Sequence, residues 1–140
     1  MPKIHPHIHF NGNAEEAFTF YQSIFGGNFR KMVRYKELLG MGYPFPEHEL
    51  NKIMHISLPI GGNHLLTGSD VPDILGSVNE QENRSKITIT CSNKEEADNL
   101  FTGLSDGGTI EMPIAETSWC DYFGAFRDKY GIEWMIEVHS

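Results

Sequence analysis

The densest run of side chains able to do chemistry lies at the N-terminus, where His5, His7 and His9 occupy alternate positions. On an extended chain this spacing sends all three imidazoles to one face and Ile4, Ile8 and Phe10 to the other. Such a stripe can hold a metal ion, or it can present neutral hydrogen-bonding groups on a half-wetted strand face, and the second reading is preferred. His55 is different in kind, because it interrupts the apolar run Ile53, Met54, Ile56 and Leu58. A histidine there is either a hydrogen-bond donor or general base lining a pocket, or a core group satisfied by a backbone carbonyl. Glu133 and Glu137 share a face with Met135 and are the carboxylates best placed to reach a pocket. The two cysteines form no CxxC pair: Cys91 falls on the apolar face of an expected strand, and Cys120 has no base beside it in sequence.

A second concentration of candidate groups is the aromatic stretch 119–138, WCDYFGAFRDKYGIEWMIEV. Its two apolar runs flank the turn-forming residues 128–131, the pattern of a β-hairpin. Alternation puts Tyr122, Gly124 and Phe126 on one face and Phe123 and Ala125 on the other, so one group can line a pocket. A glycine between aromatics signals that a ligand or another backbone approaches closely at Gly124.

The elements that must position these groups repeat. Residues 4–10 read as a strand, and residues 13–25 as a helix capped by Asn13 and closed by Gly26-Gly27. A strand over 28–36, a loop over 37–51 rich in Gly, Pro and Glu, and a hairpin with a Gly61-Gly62 turn complete a β-α-β-β-β order. Residues 70–84 are polar, rich in turn formers and without apolar period, and read as a connector. The order then begins again: Ile87, Ile89 and Cys91 alternate with Lys86, Thr88 and Thr90, and a helix opens at Asn93. Both helices start with NxEEA, and Gly107-Gly108 follows the second as Gly26-Gly27 follows the first. Pro113 within the next strand marks an edge or a bulge.

The expected fold is therefore α+β, one domain over 1–140. Module one covers about 1–70, the connector about 70–84 and module two about 85–140. A sheet with one apolar face and one helix cannot bury both sides, so the helices should cover an outer face while the polar face curves into a cup or meets a partner. In that cup His7, His9, Thr88, Tyr122, Gly124, Phe126 and Glu137 are the expected ligand-binding residues.

Length and charge narrow the function classes. A chain of 140 residues can bury a sizeable core without disulfides or metal. A formal net charge of −8 argues against nucleic acid and anionic membranes, which are held by clustered Lys and Arg. No apolar run approaches a membrane span or a signal peptide, so the expected location is the cytoplasm.

The motifs FNGNAEEAFTFYQSIFGG, KIMHISLPIGG and WCDYFGAFRDKYGIEWMIEV, in this order within a duplicated β-α-β-β-β chain, resemble the vicinal-oxygen-chelate superfamily of glyoxalase I, extradiol dioxygenases and bleomycin-binding proteins. The PhnB-like branch, whose members are sometimes labelled 3-demethylubiquinone methyltransferases, is the nearer likeness. That label finds no support in the glycine doublets, which follow helices or sit in a hairpin rather than in a strand-to-helix turn suited to a methyl donor. The resemblance implies a catalytic or cup-lining role for His55 and a homodimer. In metal-using relatives it implies ligands at His5, Leu66, Lys86 and Met135, of which only His5 can ligate. A shift of two places along the same strand faces reaches His7, His64, Thr88 and Glu137, and the alternative set for one divalent ion is His5, His7, His64 and Glu137. The favoured expectation has no cofactor and a small molecule as ligand, and the alternative is a metal-dependent enzyme of glyoxalase, dioxygenase or thiol-transferase type.

Overall fold

The structure, a computed structural model, describes residues 2–42 and 45–139. The chain groups into two compact units, Met1–Val78 and Asn79–Ser140.

In the first unit the strands are β1 (His7–Phe10), β2 (Lys31–Arg34), β3 (Ile53–Ile60) and β4 (His64–Asp70), with helix α1 (Ala14–Phe25) between the first two. The sheet order is β1-β4-β3-β2. β1 lies parallel to β4, and the other neighbours are antiparallel. The second unit repeats the plan with β5 (Ile87–Cys91), α2 (Lys94–Ser105), β6 (Thr109–Ala115), β7 (Tyr122–Arg127) and β8 (Glu133–Val138), in the order β5-β8-β7-β6. This is the α+β class with two βαβββ modules that the repeat predicts. Among the described residues no helix is long and apolar enough to cross a membrane.

Each helix covers one face of its own sheet. Ala14, Ala17, Phe18 and Tyr21 of α1 are buried, and Phe18 meets Phe10 edge-on at 6.0 Å. Burying a phenylalanine this completely contributes roughly 2–3 kcal/mol. Gly68 makes the approach possible, because a Cβ there would stand 2.7 Å from Phe18 Cε1. In α2, Ala97, Phe101 and Leu104 are buried, with Phe101 edge-on to Phe126 at 5.1 Å.

The shared NxEEA motif starts the two helices differently. Asn93 caps α2, its Oδ1 accepting the Glu96 N–H at 2.8 Å. Asn13 makes no cap bond, and its Oδ1 is buried without a partner. Asp70, at the end of β4, takes its place by accepting the Ala14 N–H at 2.9 Å.

Other boundaries also move. β1 begins at His7, so His5 precedes the strand, and β2 is shorter than the expected 28–36. The loop 37–51 contains much of one 3₁₀ segment, Tyr35–Met41, and a second, Glu47–Glu49; Tyr43 lies outside the described residues. Pro113 does sit on an edge strand with irregular register. Within 70–84, the Asn11 side chain exchanges two hydrogen bonds with the Val78 backbone, while the Glu80 and Glu82 carbonyls accept from Arg127.

Candidate functional site

The face of the first unit's sheet turned away from α1 is polar. Parallel pairing of β1 with β4 sets His7 beside Thr67 and His9 beside Ser69, and antiparallel pairing brings Ser57 beside Thr67. His7 Nδ1 lies 2.8 Å from Thr67 Oγ1, and its Nε2 lies 3.0 Å from Ser69 Oγ. His9 Nδ1 is 3.4 Å from the same serine oxygen. The His55 ring faces His7 with centroids 6.0 Å apart and makes no hydrogen bond among the described residues.

The direction of this network follows from its end. Thr67 donates its hydroxyl proton to the Pro6 carbonyl at 2.7 Å, so toward His7 it can only accept. His7 therefore carries its proton on Nδ1, leaving Nε2 as the acceptor of the Ser69 hydroxyl. Ser69 in turn accepts from His9. The result is an ordered chain of donors from His9 through Ser69, His7 and Thr67 to a backbone carbonyl.

Electrostatics favour the neutral form of His7 and of His55. Burial lowers the His7 pKa, and His9 and His55 lower it further. Burial and then Lys31 lower that of His55. Among the described residues no strand position on this face is a carboxylate: those sharing it include His7, His9, Lys31, Val33 and His55, with Ser57, Pro59, Leu65, Thr67 and Ser69. Ser57, Thr67 and Ser69 were missed in the sequence, where the signal was polar residues alternating with apolar ones along two otherwise buried strands.

The second unit corrects part of the expected site. Tyr122, Gly124 and Phe126 lie under α2 rather than on the open face. Tyr122 donates its hydroxyl to Asp98 of α2 at 2.7 Å, and Phe126 packs on Phe101. The close approach at Gly124 comes from Phe101 and Ile114, whose Cε2 and Cα would stand 2.7 and 2.9 Å from an added Cβ. Thr88 is on the opposite face, in register with Met135, beside Thr90, whose hydroxyl donates to Glu137 at 3.0 Å. Glu133 is buried and bonded to Lys86 and to Arg127, the latter at 2.6 Å. It is a structural ion pair rather than a group available to a ligand.

A cavity of about 630 Å³ opens on this unit, lined in part by Lys94, Glu116, Thr117, Trp119, Cys120 and His139. Cys120 donates its thiol to the Tyr122 carbonyl at 3.2 Å, and His139 Nε2 lies 2.8 Å from Glu137. Cys91 is a core residue, its thiol pushed up to about 11 by burial and then by Glu96.

The inherited metal positions do not suit an ion. Leu66 is in the core, 2% exposed, and the Lys86 ammonium is bonded to Glu133 and Glu111. The alternative set fails on strand geometry. His64 starts β4, three residues before Thr67, so it points to the face opposite Thr67 and lies roughly 10 Å along the strand. His7 touches Thr67 and cannot share an ion with it. Among the described residues, the groups close enough to share an ion are Cys120, Glu137 and His139, and His48, Glu49 and Asp73.

Comparison with known proteins matches residues 2–137 to the family described as 3-demethylubiquinone-9 3-methyltransferase. The Pseudomonas aeruginosa protein PA1353 is similar in structure, at 32% identity and TM-score 0.82, over 99% of this chain and 98% of that one. A putative 3-demethylubiquinone-9 3-methyltransferase, PhnB protein, from Bacillus cereus follows at 28% identity and TM-score 0.74, covering 98% and 99%. A glyoxylase/bleomycin resistance protein/dioxygenase domain from Frankia sp. EAN1pec shares the fold at 12% identity and TM-score 0.70, covering 100% and 98%.

Proposed function

The chain belongs to the 3-demethylubiquinone-9 3-methyltransferase family, in the PhnB-like branch of the glyoxalase fold, and from that premise we propose that it binds a small, acceptor-rich anionic molecule on its histidine face. The observation that carries this reading is the cluster of His7, His9 and His55 with three hydroxyls and Lys31, on a face where no described strand position is a carboxylate. Imidazole and ammonium N–H groups donate to oxygen acceptors, and no like charge there repels an anion.

The residues divide by role. His7 is committed to Thr67 and Ser69 and orients the network. His9 and His55 have ring nitrogens left to contact the ligand, and His55, with its lowered pKa, is the group suited to accept a proton from it. The methyl transfer in the family's description is not part of this reading. Gly26 and Gly27 close α1 and Gly61 sits in the β3–β4 hairpin, so neither doublet forms the strand-to-helix turn that cradles a methyl donor.

A second copy of the chain is the proposed protein partner. The family resemblance supports it, as does the edge strand β6, which leaves Ile110 51% and Met112 43% exposed. A single monomer mass at all concentrations in sedimentation would remove that part.

The ligand proposal is tested by a thermal-shift screen of small carboxylates, phosphates and carbonyl compounds, followed by NMR titration of the histidine ring protons. A hit that moves the His9 and His55 rings and weakens on His55→Ala supports the reading. Hits that leave these rings unmoved place the ligand elsewhere and overturn it.

A further inference from the structure

Two 3₁₀ segments of the first unit, Glu47–Glu49 and Asp73–Leu75, bring together three side chains of metal-ligating type away from the histidine face. His48 Nε2 lies 2.7 Å from Asp73 Oδ2 and 3.6 Å from Glu49 Oε1. One ligand atom from each of the three lies within 4.8 Å of the others. Asp73 is further held by Lys52 Nζ at 3.1 Å from Oδ1.

The carboxylate of Glu49 marks the place as more than a surface ion pair. Its side chain is 2% exposed, and Oε1 accepts the Asp73 N–H at 2.7 Å. The second oxygen, Oε2, is buried with no hydrogen-bond partner. A buried carboxylate oxygen without a donor loses its hydration and gains nothing in exchange, a cost that a cation or a bound water removes. Glu49 is the inner wall of the group, while His48 and Asp73, each 63% exposed, leave it open to solvent.

We infer that His48, Glu49 and Asp73 form a binding site for one divalent transition-metal ion, of which Zn²⁺ is the representative. An imidazole with two carboxylates suits zinc, manganese or nickel better than the all-oxygen preference of magnesium or calcium. Three protein ligands leave a fourth position for water. His48 ligates through the Nε2 lone pair, with its proton on Nδ1. The bound ion ties the two segments together, which gives it a structural role independent of the ligand proposed for the histidine face.

The test is calorimetric titration of Zn²⁺ into the metal-free full chain, with thermal unfolding recorded in parallel. One equivalent binds and raises the melting temperature, and both effects fall by about tenfold or more in affinity for His48→Ala, Asp73→Asn and Glu49→Gln. His7→Ala and Cys120→Ser leave them unchanged, which separates this site from the histidine face and from the Cys120 group. Absence of stoichiometric binding overturns the inference, as does binding that survives His48→Ala and Asp73→Asn. Those two positions are exposed, so the test holds even where Glu49→Gln does not fold.

Discussion

Asp70 caps a helix that begins 56 residues earlier in the chain, its Oδ1 accepting the Ala14 N–H at 2.9 Å while Oδ2 accepts the Ile53 N–H at 2.8 Å. The same residue's carbonyl accepts the Tyr35 hydroxyl at 2.8 Å. One buried carboxylate thus fixes where α1 starts, where β3 starts and how both meet the end of β4.

Truncation at Asp70 should therefore exceed the loss of an ordinary cap. Asp70→Ala strands two buried N–H groups and is expected to cost about 3 kcal/mol, against about 1 kcal/mol for Asn93→Ala and less than about 0.5 kcal/mol for Asn13→Ala. Urea unfolding of the three variants measures the order; equal losses at positions 13 and 93 would contradict the caps described.

Gly124 gives a packing test. An alanine there must displace the Phe101 ring and the Ile114 backbone, for an expected loss of about 1–3 kcal/mol. The melting temperature should fall while the binding proposed for the first unit's sheet is unaffected.

Glu133 links electrostatics to acid stability. Burial pushes its pKa up, but Lys86, Glu111 and Arg127 outweigh that and hold the carboxyl below its ordinary value. A depressed carboxyl contributes stability that is complete above its unfolded pKa and is lost as pH falls through the folded one. Glu133→Gln leaves Lys86 and Arg127 without their shared partner and should cost about 3 kcal/mol near neutral pH. The difference from the parent protein narrows in acid, as denaturation at several pH values will show.

The histidines act with the same sign, over a higher pH range. The pKa of His7 and that of His55 are both lowered, so the unfolded chain binds protons more readily than the folded one. Stability is then complete above the ordinary histidine pKa of about 6.5 and declines as pH falls from there toward the folded values. An anionic ligand reverses the trend for binding, since a charged imidazole attracts it, and affinity should rise over the same range. NMR titration of the ring protons with and without ligand reads both effects.

Both hairpins and the duplication were legible, because alternation, glycine turns and NxEEA are local signals. Face assignment was not. Alternation separated Tyr122, Gly124 and Phe126 from Phe123 and Ala125, but only α2 packing on Phe126 tells which set is covered. The cap of α1 was misread for a related reason: Asn13 has the right residue type, yet the acceptor that reaches Ala14 comes from β4. The hydroxyls around His7 belong to a strand 60 positions away, and only the parallel register reveals them.

That parallel register also has a kinetic consequence. The β3–β4 hairpin closes over a few residues, whereas β1 can join β4 only after most of the unit has been threaded between them. Long closures are slower than local ones, so the first strand should dock late. His7 and His9 arrive with it, and Thr67 and Ser69 wait on the other side. The binding proposed for this face would then be acquired at the final folding step, and an opening that releases only the N-terminal strand would switch it off while the hairpin stays intact.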